Sequence, residues 1–142
     1  MKKLTVLFAI LSASTLLLAD AVNIELGSND MMQFDKTELR APAGSNVTLT
    51  LKHTGKLPKM SMGHNFVLLK QGTDLAAFGA KSAAAAANEY IPEGDEIIAH
   101  TKLIGGGESA SVTFKAPAAG TYDFICSFPG HYAIMKGKLI VE

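Results

Sequence analysis

The chain has 142 residues, 48% of them apolar, which is enough for one globular domain with a real core and too little for a multidomain enzyme. Basic and acidic side chains balance at 13 each and the lysines are scattered singly, so the basic excess and clustered face of a nucleic-acid binder are absent. A single cysteine, Cys126, excludes a disulfide within the chain and leaves its thiol either an inert buried group or a chemical one.

Lys2 and Lys3 precede an apolar run over residues 4–18, and Ala19-Asp20-Ala21 puts small residues at the two positions a signal peptidase reads. Ser12, Ser14 and Thr15 interrupt the run, which falls short of the ~20 apolar residues of a membrane span. Residues 1–21 are therefore predicted to be a cleaved signal peptide and residues 22–142 an exported, periplasmic domain. Loss of Lys2, Lys3 and Asp20 leaves a net charge of about −1. With no cysteine at the cleavage site and no second hydrophobic span, the product is expected to be soluble and unanchored.

In chain order, residues 22–26 (Val-Asn-Ile-Glu-Leu) and 47–51 (Val-Thr-Leu-Thr-Leu) alternate apolar with polar, the period-two mark of strands with one buried face. Similar runs at 65–69, 96–101, 111–114, 121–126 and 138–141 are punctuated by Gly44, Gly55, Gly105 to Gly107, Gly120 and Gly130. Many short strands with glycine turns predict an all-β sandwich. The exception is residues 74–90, where the alanines at 83–87 favour helix and Ile91-Pro92-Glu93-Gly94 stops it. One short helical insertion is predicted there, as a solvated, partly frayed excursion without function.

The chemistry concentrates near the C-terminus, in Cys126-Ser127-Phe128-Pro129-Gly130-His131-Tyr132-Ala133-Ile134-Met135. Taken singly, Cys126 reads as a small buried hydrophobe, Met135 as core filler and His131 as a surface imidazole. Together they place a thiol, an imidazole and a thioether on one loop between two strands. His64, in Met62-Gly63-His64-Asn65 at the start of another predicted strand, supplies a second imidazole. Two imidazoles and a thiolate make the trigonal plane of an electron-transfer copper site, with Met135 as a weak axial ligand. Cu(I) favours soft sulfur whereas Cu(II) favours nitrogen and oxygen, so a fixed compromise suits both states and lowers the barrier between them.

The chain resembles the azurins, within the cupredoxin family, over essentially the whole predicted mature domain. The resemblance is carried by Leu57-Pro58-Lys59, Met62-Gly63-His64-Asn65, Ala99-His100-Thr101-Lys102-Leu103-Ile104-Gly105, Ser111-Val112-Thr113-Phe114, and Phe128-Pro129-Gly130-His131 leading to Met135-Lys136-Gly137. It implies a Greek-key β-sandwich and one type 1 copper per chain, held by Gly63, His64, Cys126, His131 and Met135. The Gly63 backbone carbonyl is then a distant axial ligand opposite the methionine. Asn65 ties the two ligand loops together, the amide of Phe128 donates to the cysteine sulfur, and Tyr122 is the tyrosine-corner residue. The ring edge of His131 is expected at the surface, within an apolar patch formed by or near Leu57, Pro58, Met62, Gly63, Phe128, Pro129 and Ala133. Redox proteins such as c-type cytochromes would dock there on a monomer that is not itself an enzyme. His53 and His100 match azurin histidines outside the ligand set and are given structural or surface roles.

There are departures from the pattern. Azurins usually carry a disulfide near the N-terminus, and this chain has no cysteines for one. Phe66 stands where many azurins bury a tryptophan, Tyr132 is bulkier than the usual small residue beside the exposed histidine, and the alanine-rich insertion is unlike the commoner sequence. Two rival readings remain at this stage. Met31, Met32, Met60 and Met62 would suit a Cu(I) store, and Cys126 with His131 could form a hydrolase pair, although no residue supplies its orienting group or oxyanion hole.

Overall fold

The computed structural model describes residues 20–142, so apart from Asp20 and Ala21 the predicted signal peptide lies outside the described residues. Eight strands run β1 (Ala21–Ser28), β2 (Glu38–Ala41), β3 (Asn46–His53), β4 (Val67–Leu69), β5 (Ile97–His100), β6 (Ser109–Lys115), β7 (Gly120–Ile125) and β8 (Lys136–Val141). They form a three-stranded sheet, β1-β3-β6, and a five-stranded sheet, β2-β8-β7-β4-β5. Two helices, α1 (Lys59–Met62) and α2 (Leu75–Ala83), and two 3-10 turns, Ala86–Asn88 and His131–Ala133, occupy the connections. No helix among the described residues is long and apolar enough to cross a membrane.

The alternation read from the sequence sets the inner faces. Val47, Leu49, Leu51 and His53 of β3 are buried with Leu26 of β1 on one side, and Tyr122, Phe124, Leu139 and Val141 on the other. Phe34, Phe66 and Phe124 meet at the centre, the rings of Phe66 and Phe124 having centroids 5.5 Å apart. All seven predicted strands are present with shifted ends. β4 starts at Val67 because the Phe66 amide bonds the Thr101 hydroxyl (3.0 Å) and the Asn65 side chain crosses to another loop. β2 was not expected: it is four residues long, pairs parallel to β8, and buries only Leu39 and Ala41, too short an alternation to read in advance. The Tyr122 hydroxyl donates to the Ala118 carbonyl at 2.7 Å, the expected tyrosine corner.

The insertion differs from its prediction in two respects. Helix α2 ends at Ala83, where the alanine run begins, and the residues beyond it form a turn leading to left-handed Glu89 and Tyr90 (φ 51° and 63°). Alanine propensity loses to packing and capping here. The Asp74 carboxylate accepts from the Ala76 and Ala77 amides (2.9 and 3.0 Å), and Phe78, Gly79 and Ser82 face inward, whereas the later alanines have little to bury. Nor is the segment a solvated excursion. Phe78 packs with Ile91, Val67, Leu69 and Ile125 in a second apolar cluster on the outer face of the five-stranded sheet. This explains why β4 is buried on both faces, with Leu68 turned to the main core and its neighbours to α2.

Gly137 in β8 lets this packing close, because a Cβ there would overlap the Phe124 ring and stand 2.6 Å from the Thr37 carbonyl oxygen. Gly137→Ala is expected to destabilise the metal-free protein by about 1–3 kcal/mol, read as a lower denaturant midpoint at unchanged m-value. An unchanged midpoint would show that the strand shifts freely to make room.

Candidate metal centre

Cys126 follows the last residue of β7, and its amide donates to the Met135 carbonyl (3.0 Å), closing the loop that leads to β8. Inside that loop the His131 amide bonds the Phe128 carbonyl (2.9 Å), and the Ile134 and Met135 amides both bond the His131 carbonyl (3.0 and 2.7 Å). His131 is thereby held by its own backbone turn. His64 is placed independently, by reciprocal bonds between its backbone and that of Ile104 (3.0 and 2.8 Å).

The side chains converge on the Cys126 sulfur. Sγ lies 3.6 Å from His131 Nδ1, 3.8 Å from His64 Nδ1 and 3.8 Å from the Gly63 carbonyl oxygen. One ligand atom from each of His64, Cys126 and His131 fits within 4.8 Å of the others, and all three residues are buried. Met135, also fully buried, adjoins the same loop. His64 Nε2 bonds the Asn29 carbonyl at 2.8 Å, and since a carbonyl only accepts, the proton must sit on Nε2. Nδ1 is left with its lone pair facing the sulfur, the form that binds a metal.

The electrostatics point the same way. Burial pushes the Cys126 thiol up to about 12, against smaller lowering effects of the Asn65 and Phe128 amides that donate to the sulfur. Burial, helped by the nearby His64, lowers His131 to about 4, and burial lowers His64 as well. Both rings are therefore neutral near pH 7, ready to donate lone pairs, while the sulfur carries its proton until a cation displaces it. The donor set of two neutral imidazoles, one buried thiol and a thioether fits copper, and a thioether is a poor ligand for zinc.

The surrounding residues lock this arrangement. Asn65 Oδ1 accepts from the Ser127 amide and its Nδ2 donates to the Ser127 hydroxyl, both at 2.8 Å, joining the two ligand segments as the resemblance implied. The Ser127 hydroxyl in turn donates to the Tyr90 carbonyl (2.8 Å), and the Tyr90 ring stands edge-on to Phe128. His53 is buried, accepts from the Gly55 amide (3.0 Å), donates to the Met62 carbonyl (3.0 Å), and stacks on His64 with centroids 4.4 Å apart. His100 is exposed on β5 and takes no part. Phe66 sits in the main core, as expected of a tryptophan substitute. The carbonyls of Asn29 and Tyr90 were invisible to sequence reasoning, because a backbone oxygen carries no residue-type signal.

Comparison with known proteins decides what this constellation belongs to. Residues 20–142 match the family model of copper binding proteins, plastocyanin/azurin family. The chain belongs to that family. Azurin-1 of Alcaligenes xylosoxydans xylosoxydans is 48% identical over 122 residues, covering 82% of this chain and 95% of the relative. Azurin of Bordetella pertussis is 46% identical over 127 residues, 86% of this chain and 85% of its own. Among solved structures, the blue copper protein auracyanin A of Chloroflexus aurantiacus superposes with a TM-score of 0.78 at 42% identity, over 87% of this chain and all of that one. The cupredoxin sandwich, its short helix and a copper cofactor follow for this plastocyanin/azurin family member.

The lowered histidines set a pH dependence for the metal-free protein. Unfolding restores His131 to an ordinary imidazole, so the unfolded chain binds more protons than the native one between about pH 6.5 and 4. Stability is expected to fall across that window as pH falls, by about 3 kcal/mol from His131 alone. Denaturant unfolding of the apoprotein against pH checks this, and His131→Gln should flatten the slope; a level profile in the wild type would contradict the burial argument.

Proposed function

We propose that this protein is a soluble periplasmic carrier of single electrons, built on one copper ligated by His64, Cys126 and His131, with Met135 and the Gly63 carbonyl as weaker ligands. The observation that carries the reading is the convergence of three buried donor atoms within 4.8 Å. Copper bound there supplies a centre that passes between Cu(II) and Cu(I) by one electron. The residues do the rest. Cys126 surrenders its proton on binding, the amides of Asn65 and Phe128 stabilise the resulting charge on sulfur, and Asn29 fixes the His64 ring. The closed shell excludes water and keeps the donors still, which suits an electron carrier that must not reorganise.

Electrons would pass near His131, which was expected to show a ring edge at the surface but is buried, only 3% exposed, with its ring centroid 4.7 Å from that of Phe128. Of the residues expected near it, Leu57, Pro58, Pro129 and Ala133 are exposed, Met62 and Phe128 are half-buried, and Gly63 is buried. Met60 (92% exposed) and Ile134 (60%), in the same two chain segments, are further exposed apolar side chains. Such a face favours brief encounters with redox proteins such as c-type cytochromes, because little charge must be desolvated. A monomer agrees with that use. Export rests on the leader pattern over residues 1–21, with the family match starting at residue 20.

The rivals lose ground on physical grounds. A copper store needs an open, exchangeable site, and these donors are enclosed. A hydrolase needs a thiolate nucleophile, whereas an enclosed thiol near 12 stays protonated.

Titrating the metal-free protein with Cu(II) should give an intense blue charge-transfer band, narrow copper hyperfine splitting, and release of about one proton per copper near pH 7. Cys126→Ser should lose the colour. A colourless wild type, or a blue Cys126→Ser variant, overturns the proposal.

A further inference from the structure

We propose that helix α2 braces the ligand loop, and that Tyr132 is the positioning residue through which it does so, seated on Gly79. Its functional consequence rests on the copper site proposed above; the brace itself stands on packing.

Gly79 is buried in the interior of α2, where glycine costs about 1 kcal/mol relative to alanine. The helix is otherwise rich in alanine, so the glycine needs a local reason. Tyr132 supplies it. A Cβ on Gly79 would lie within 2.9 Å of three carbons of the Tyr132 ring, which therefore rests against the bare helix backbone. Tyr132 directly follows His131 in the 3-10 turn His131–Ala133, and that turn is otherwise held by the Ile134 and Met135 amides on the His131 carbonyl. The same ring packs against the cluster of Val67, Leu69, Phe78, Ile91 and Ile125.

This cluster joins the two ligand segments. Val67 lies three residues after His64, and Ile125 immediately precedes Cys126. Helix α2 covers both and receives Tyr132 from the loop, so the turn bearing His131 cannot rotate away from His64 and Cys126 without pulling the ring off Gly79. The insertion and the bulky aromatic, which the sequence presented as two unrelated departures, are one device. Its use is to hold the His131 ring in place whichever charge the centre carries.

Amide hydrogen exchange on the metal-free protein tests the brace without any metal chemistry. In Tyr132→Ala the Ile134 and Met135 amides should exchange about tenfold faster or more, while β3 amides keep their wild-type rates. Tyr132→Phe should behave as wild type, since ring carbons make the contact. Gly79→Ala should reproduce the Tyr132→Ala effect by displacing the ring; should that variant fail to fold, the two Tyr132 variants still decide. With copper added, the Ala variant should show altered hyperfine splitting and the Phe variant should not. Wild-type exchange and wild-type spectra in Tyr132→Ala would overturn the brace. So would slower electron transfer to a cytochrome with exchange unchanged, which would make Tyr132 a docking residue. A wild type that never turns blue removes the copper reading instead, and exchange still decides the packing claim.

Discussion

A thiol buried without exposure at the end of a β-sandwich is the constraint on which the rest of this structure depends. Placing a thiolate there costs on the order of 4 kcal/mol, the equivalent of moving the group from its ordinary range to about 12. Two amides, from Asn65 and Phe128, offset part of that cost but not enough to ionise the group alone. A bound cation can, since metal binding displaces the proton of a thiol; structural zinc sites in zinc-finger peptides show the scale, with apparent binding free energies of ~10–16 kcal/mol at neutral pH. The site is thus neutral and closed when empty of charge, and committed to sulfur ligation once a metal enters.

Everything around the sulfur serves to hold three donors from two distant segments at one point. The tight turns of the C-terminal loop fix His131 relative to Cys126, while the reciprocal backbone bonds with Ile104 and the Asn29 carbonyl fix His64. Asn65 and Ser127 clasp the two segments together. The main core supports this arrangement from within, and the second cluster beneath α2 supports it from outside. Both bear on His64, which lies three residues before β4, the strand that the two clusters enclose.

Much of this was legible in advance, for definite reasons. Period-two alternation marked β1 and β3 because each has one wet face, and the spacing of Cys126, His131 and Met135 marked the loop because few other uses want those three residue types together. β2 was missed because four residues with two buried apolar side chains carry too little pattern. The helix occupies only the first part of the predicted stretch 74–90, because alanines at 84–87 have propensity but little to bury, whereas Asp74 and Phe78 provide a cap and an anchor. The backbone carbonyls of Asn29 and Tyr90 were beyond any sequence reading, as was the seat of Tyr132 on Gly79, which exists only once helix and loop meet.

The central claim is that one sulfur and two ring nitrogens share a single copper with little rearrangement between its charge states. X-ray absorption at the copper edge, on oxidised and reduced protein, reads this directly. The account predicts one short sulfur and two nitrogen neighbours in both states, with nearly constant distances. Loss of a nitrogen on reduction, or a copper without a short sulfur contact, would contradict it.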